Sequence, residues 1–328
     1  MTIGMTSLGC YVPERVVTND ELARTVDTSD EWIVSHTGIR ERHIAEPGTA
    51  ASDLAVKAGQ AALARRGLDA GDVDLVIVAT SSPDYSPFPA SACIVQEKLG
   101  CANAGAFDLQ AGCTGFAYGL ETAKGFVAAG SARHVLLIAS EVLSSITNWN
   151  DRNTCVLFGD GAGAVVVEEL ARAHGHTIEH GWLRSQGSGE TALMRRIAGS
   201  REPYDPARHE PADFHLTMDG KRVYLFAVDA IVKTIQNLCE LGGTAPEKLD
   251  WIVPHQANVR IIEAAAKRMG LPVDRFYMNM DRFANTSAAS IPIALEEMQS
   301  RVLLAVGQRV ATVGFGAGLT YGGNLIRW

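Results

Sequence analysis

Short apolar runs alternate along this chain with longer segments of helical character. Asp74-Leu75-Val76-Ile77-Val78 follows a helical stretch that ends near Gly67, and it predicts a buried-type strand. Ala90 to Leu99 predicts a helix stopped by Gly100, and Ala106 to Leu109 a strand. A helix from about Thr114 to Ala129 and a strand from Val135 to Ala139 follow. Such alternation predicts an α/β architecture.

The same order recurs in the second half. Leu249 to Val253 resembles the earlier strand, with Asp74 and Asp250 176 residues apart. Gly270 ends a helix as Gly100 does, 170 residues on, and Arg309 to Val313 resembles His134 to Ile138, with Val135 and Val310 175 apart. Ile3 and Ile178 are also 175 apart. Offsets this similar predict a duplicated α/β unit, residues 1–172 and 173–328, with a seam near Arg172 and a site between the copies. Gly187 to Asp213 fits neither copy. Rich in Gly, Pro, Arg and Glu, it predicts a long loop or insertion near the entrance to that site.

Composition narrows the class. With 47% hydrophobic and 20% charged residues over 328 positions, the chain is made like a globular protein with a sizeable core. A net charge of −8 argues against nucleic acid or an anionic membrane as the main partner. The opening Met1-Thr2-Ile3-Gly4 shows no targeting signal, and the apolar runs fall far short of the ~20 residues that span a bilayer. Cys10, Cys93, Cys101, Cys113, Cys155 and Cys239 lie scattered, with no Cys-x-x-Cys pair, which fits reduced thiols in a cytoplasmic setting. All but Cys113 read as core residues.

Ala111-Gly112-Cys113-Thr114-Gly115-Phe116 sets a thiol where a strand ends, small residues turn sharply and a helix begins. The helix dipole and its unpaired N–H groups favour a thiolate there, so the pKa is expected to fall from about 8.5 toward neutrality. A structural cysteine fits the same turn. The second half tips the balance. Val253-Pro254-His255-Gln256-Ala257-Asn258 puts His255 at the carboxyl end of a strand, where open α/β sheets build their sites. Asn285-Thr286-Ser287-Ala288-Ala289-Ser290 precedes an apolar helix from Ile291, and alone it reads equally as a helix cap. Gly314-Phe315-Gly316-Ala317-Gly318 is expected to turn tightly after a strand, as a plain hairpin or as an oxyanion hole of backbone N–H groups. A cysteine, a histidine and an asparagine, each after a strand of one duplicated fold, form a chemically coherent set.

At these residues the chain resembles β-ketoacyl-acyl-carrier-protein synthase III, of the thiolase superfamily, from end to end. The resemblance rests on Asp30-Glu31-Trp32-Ile33-Val34, Thr37-Gly38-Ile39-Arg40-Glu41-Arg42 and the Cys113 turn. It extends through Phe158-Gly159-Asp160-Gly161-Ala162-Gly163-Ala164, His255-Gln256-Ala257-Asn258 and Asn285-Thr286-Ser287. It implies a five-layered α/β/α/β/α thiolase-like fold, a homodimer and a site of Cys113, His255 and Asn285, with no metal or redox cofactor. Cys113 would take the acyl group of an acyl-CoA, with the oxyanion held by backbone N–H groups of Cys113 and the Gly316–Ala317 turn. His255 and Asn285 would donate hydrogen bonds to a malonyl thioester as it loses carbon dioxide.

The same resemblance implies that Trp32 and Arg152 flank the CoA adenine and that Asn258 lines the pantetheine tunnel. It sets Phe315 at the acyl pocket and Phe88 in that of a neighbouring subunit. An acidic acyl carrier protein would land on Arg260, Lys267 and Arg268, which follow His255 on one helix. Against the commoner pattern, His36 replaces an arginine, Leu225 a lysine, and Gly112 and Thr114 an alanine and a serine. The leading expectation is a decarboxylating Claisen condensing enzyme of fatty acid initiation. A specialised relative making a polyketide or signal molecule, using another starter or malonyl-CoA, is the first alternative. A non-catalytic acyl-CoA-binding scaffold is the second, and the intact Cys113, His255 and Asn285 speak against it. A hydrolase is weaker still, because no carboxylate is evident beside the histidine.

Overall fold

The apolar runs form strands whose two faces are both covered. In the computed structural model, which describes residues 1–172 and 174–328, nine strands join in one mixed sheet. In chain order the elements are β1 (Ile3–Tyr11), α1 (Asp30–Thr37), α2 (Ala51–Arg66), β2 (Leu75–Ala79), α3 (Ser91–Leu99), β3 (Gly105–Leu109), α4 (Gly115–Ala128), β4 (His134–Glu141) and β5 (Gly161–Glu169). They continue as β6 (His176–Ser185), α5 (Gly220–Leu241), β7 (Trp251–Pro254), α6 (Val259–Met269), α7 (Ser290–Ser300), β8 (Arg309–Gly316) and β9 (Thr320–Arg327). The strand order is β7-β8-β9-β6-β1-β5-β4-β2-β3. Strand β2 runs parallel to β3 and β4, and β7 parallel to β8; the other neighbours are antiparallel. Among the described residues, the two halves of the sheet are joined where Gly4 and Met5 pair with Thr177 and His176. The expected seam falls at position 173, outside the described residues.

Strand side chains alternate between cores, and this makes the layers. Leu75, Ile77 and Ala79 of β2 join a central core with Phe116 and Leu120 of α4 and with Ile291 and Leu295 of α7. Val76 and Val78 face the other way, onto Leu54, Ala58 and Val95 of α2 and α3. On the far side, Ala311 and Val313 of β8 pack against Ile231 and Ile235 of α5 and Ile262 of α6. Helices α4 and α7 touch strands from both ends of the sheet, whereas α2 and α3 cover one outer face and α5 and α6 the other. The chain thus has five layers, α/β/α/β/α, with α4 and α7 in the middle. Each carries a candidate site segment at its N-terminus.

Two local expectations change. The run Gly314 to Gly316 is the end of β8 and not a turn; the turn is Ala317 to Leu319, and Gly316 pairs with Thr320 across a hairpin. The segment Gly187 to Asp213 is not wholly irregular. It holds a 3-10 turn over Gly187–Ala192 and a short strand, Leu193–Met194, paired with Thr217–Met218. Leu193 and Leu216 close over Leu143 and Phe158 as a small separate cluster.

Candidate active site

Cys113 sits in a single 3-10 turn, Gly112–Thr114, between β3 and α4. Gly112 adopts φ +54°, and a Cβ there would lie 3.0 Å from the Ala317 carbonyl. Gly316 is tighter, because a Cβ on it would stand 2.8 Å from Cys113 Cβ and 3.0 Å from Sγ. The hairpin of the second half is therefore pressed onto the nucleophile, with no room for a side chain between them. Thr320 pins the contact, its hydroxyl 2.8 Å from the Ala111 carbonyl and 3.0 Å from that of Ala317.

His255 follows β7, and its N–H donates to the Val313 carbonyl at 2.7 Å. Its Nδ1 lies 2.7 Å from Ser290 Oγ, and Phe315 meets the ring edge-on at 5.2 Å. Asn285 is held on both sides: its N–H donates to Leu157 at 2.9 Å, and its carbonyl accepts from Gly159 at 3.0 Å. The Ser287 N–H donates to Asn285 Oδ1 at 2.8 Å. That bond fixes the amide so that Nδ2, a donor, is the free end.

Electrostatics contradicts one expectation. Cys113 is only 8% exposed, and burial pushes its thiol up from 9.0 to about 12. The Ser287 side chain and the N–H groups of Cys113 and Ala317 pull the other way, while the charge of Glu141 adds to the rise. The helix start is there, but loss of water outweighs it. In His255 burial depresses the pKa from 6.5 to about 3, so the imidazole is neutral at ordinary pH. Among the other cysteines, Cys93 is exposed, contrary to the core reading, while Cys10 is half-buried and packs against the central core.

Two cavities meet at Cys113. One, of about 430 Å³, is lined by Leu143, Ile146, Phe158, Leu193 and Leu216, with Glu190 and Arg195 also on its wall. The other, of about 400 Å³, holds His255, Asn285, Phe315 and Gly316 beside Cys113, and runs out past Asn258 and Arg260 to Trp32. Phe315 lines the second cavity, against His255, and not the first. Arg152 stacks over Trp32 at 4.5 Å, and His36 covers the indole at 4.3 Å. Phe88 is 79% exposed and lines neither cavity. On α6, Arg260 donates to the Ser35 carbonyl at 3.0 Å and Arg268 reaches Asp229 at 3.2 Å, with Lys267 exposed. Leu225 is exposed on α5.

Several quoted motifs prove to be braces. Arg42, fully buried, donates to the carbonyls of Val17 and Val156 and to Asn19 Oδ1 at 2.8–3.2 Å. Asp160 accepts from Ala45 N–H, Ser144 N–H and Ser144 Oγ–H at 2.6–2.9 Å. Both fix loops that support Asn285 and the cavity wall.

Sequence reasoning missed Glu141, Ser287 and Ser290 as chemistry. The serines lay within the Asn285 run, where they read as capping residues. Glu141 carried one legible signal: a charged residue closing the apolar strand His134–Glu141. It is fully buried and stands beside the cysteine, not the histidine. Among the described residues, no group of three or more His, Cys, Asp or Glu is placed to hold a metal ion.

Comparison with known proteins adds identity to this geometry. Residues 107–187 match the family described as 3-oxoacyl-[acyl-carrier-protein (ACP)] synthase III, and residues 239–328 match its C-terminal part. The chain is 48% identical to a β-ketoacyl-[acyl-carrier-protein] synthase III of Caldanaerobacter subterraneus subsp. tengcongensis, covering 99% of this chain and 97% of that one. It is 46% identical to the protein of the same name from Roseiflexus castenholzii, over 99% and 97% of the two chains. Among solved structures, a 3-oxoacyl-(acyl carrier protein) synthase III from Pseudomonas aeruginosa PAO1 superposes with a TM-score of 0.91 at 40% identity, covering 100% of this chain and 98% of that one.

Proposed function

The chain belongs to the 3-oxoacyl-[acyl-carrier-protein] synthase III family of condensing acyltransferases, and from that premise we propose that it starts fatty acid chains on Cys113. The reaction joins an acyl-CoA starter to malonyl-acyl carrier protein with loss of carbon dioxide. The observation that carries this reading is the meeting of two cavities at one thiol, with His255 and Asn285 in the cavity that opens toward Trp32.

In the first half-reaction Cys113 attacks the acyl-CoA carbonyl, and the acyl chain enters the cavity of Leu143, Phe158 and Leu216. The N–H groups of Cys113 and Ala317, which already face the sulfur, hold the oxyanion. The adenine lodges between Trp32 and Arg152, which part to admit it, and the pantetheine passes Asn258. CoA leaves and the malonyl carrier follows the same tunnel. His255 Nε2–H and Asn285 Nδ2–H then stabilise the enolate oxygen as carbon dioxide departs, and the carbanion attacks the acyl-cysteine.

Neutral donors suit this step, because a charged imidazolium would protonate the carbanion. The Nε2–H tautomer requires the single Ser290 hydroxyl proton to point at Nδ1, 2.7 Å away, and not at the Ser287 carbonyl, 2.9 Å away, while the oxygen accepts the Gln256 N–H. Residues 1–172 supply the nucleophile in this reading, and residues 173–328 supply His255 and Asn285. The enzyme works as a cytoplasmic homodimer, with exposed Tyr85 and Phe88 turned to the neighbouring subunit. Lys267 and its neighbours on α6 receive the acidic carrier. No cofactor enters the chemistry.

The test is intact-protein mass spectrometry after incubation with a panel of acyl-CoAs. A single acyl mass gain, lost in Cys113→Ala, is expected, and the preferred chain names the starter. No gain with any starter would contradict the reading in favour of a binding scaffold.

A further inference from the structure

Glu141 presents a physical problem. A carboxylate with no exposed surface costs several kcal/mol to bury unless a cation or many donors compensate, and among the described residues no cation pairs with Glu141. Oε2 accepts from the Ser81 N–H at 2.9 Å and the Ser82 hydroxyl at 2.8 Å, with the Thr80 hydroxyl at 3.3 Å. Oε1, equally buried, has no well-aligned partner. Also near the carboxyl group are the Ser287 side chain and the Ala288 N–H, neither in an aligned hydrogen bond with it. The Ser287 side chain also lies beside the Cys113 thiol, without an aligned hydrogen bond to it, and it lines the cavity that the thiol faces.

The residue that bridges the two groups is itself strained. Ser287 holds φ +49°, in the left-handed region that a residue with a side chain enters at a cost. The turn Ser287–Ala289 packs directly against the end of β4, which carries Glu141. The loop after β2 supplies the serine and threonine donors, and the titratable group facing Glu141 is the Cys113 thiol.

We propose that Glu141 accepts the proton of Cys113 through the Ser287 hydroxyl, so that the nucleophile ionises by moving a buried negative charge and not by creating a second one. The inference rests on the reading of Cys113 as acyl acceptor. Sγ–H passes its proton to Ser287 Oγ as the Ser287 hydroxyl passes its own to the carboxylate. The sulfur electron pair forms the bond to the acyl carbon, and the bond from that carbon to the CoA sulfur breaks. The departing CoA thiolate takes the proton back along the same hydroxyl, and Glu141 is again a carboxylate. Net charge in the site is constant throughout. Ser287 lies beside the reacting sulfur; Glu141 acts through it, as a positioning and proton-holding residue.

The two roles open to Glu141 predict opposite signs. A carboxylate that merely sat beside the thiol would hinder ionisation, so its removal would speed every reaction of Cys113. A proton acceptor does the reverse. Glu141→Gln and Ser287→Ala should be compared with the wild-type chain in two reactions of Cys113: alkylation by iodoacetamide and single-turnover acylation by acyl-CoA. Both should be followed from about pH 6 to about pH 10, around the usual thiol range. At neutral pH each variant is expected to react at least about tenfold more slowly, with the deficit closing as rising pH ionises the thiol directly. Glu141→Asp should recover part of the rate.

A Glu141→Gln variant that reacts as fast as the wild type, or faster, overturns the proposal. Should that variant fail to fold, as circular dichroism would show, Ser287→Ala decides alone, and a wild-type pH profile overturns the proposal. If the wild type alkylates but no acyl-CoA acylates it, the functional reading fails, and the alkylation profile still judges Glu141.

Discussion

Neutrality is what His255 and Asn285 share, and it sets what each can do. Burial keeps the imidazole uncharged down to about 3, and the Ser287 N–H fixes the amide with its donor end free. Asn285→Ala is therefore expected to form the acyl-enzyme at near the normal rate yet lose about a hundredfold or more in condensation, the usual effect of removing one such donor. Rapid-quench mass spectrometry separates the two steps; loss of acylation first would reverse the role given to Asn285. The same burial makes a stability prediction. Unfolded His255 takes a proton near 6.5, whereas the folded residue does not until about 3. Stability is thus full above 6.5 and declines as pH falls through that window. The denaturation midpoint of His255→Gln should fall less than that of the wild type between about pH 7 and about pH 5. An equal fall would show that His255 protonates freely.

At the scale of elements, the site depends on a hairpin touching a turn. The β8–β9 hairpin reaches Cys113 only because Gly316 has no side chain. Gly316→Ala should lower acylation by at least about tenfold and cost about 1–3 kcal/mol of stability through overpacking. A variant with normal acylation would show that the hairpin can retreat without harm. Sequence foretold this scale unevenly, and the reason is physical. Strands such as Leu75–Ala79 are covered on both faces, so they announce themselves as continuous apolar runs. Cys113 and His255 were legible because each follows a strand; Asn285, expected after a strand, follows the short helix Met280–Phe283 and was legible only through its run of small polar residues. The glycine run at 314 read as a turn because close packing and tight turning both select glycine. The Cys113 pKa was misread because a sequence shows the helix start but not the water lost around it. Glu141 went unseen because its partners, Ser82 and Ser287, come from loops far apart in the chain.

The whole molecule combines a net charge of −8 with a cavity at Cys113 whose wall carries Arg260. Arg260 is tied to Ser35 and Arg268 to Asp229, which leaves Lys267 as the exposed cation most open to an acidic carrier. Lys267→Glu should raise KM for malonyl-acyl carrier protein several-fold and leave acylation by acyl-CoA unchanged. An equal effect on both substrates would move the carrier site elsewhere. The five layers matter for the same reason: α4 and α7 lie between the two ends of the sheet and bring their N-terminal turns together. The most direct measurement starts from Cys113-acylated enzyme, purified free of acyl-CoA and then mixed with malonyl-acyl carrier protein. The acyl mass should leave the enzyme and appear, with two added carbons, on the carrier as carbon dioxide is released. An acyl group that stays on the protein, or is released as the free acid, would contradict the account.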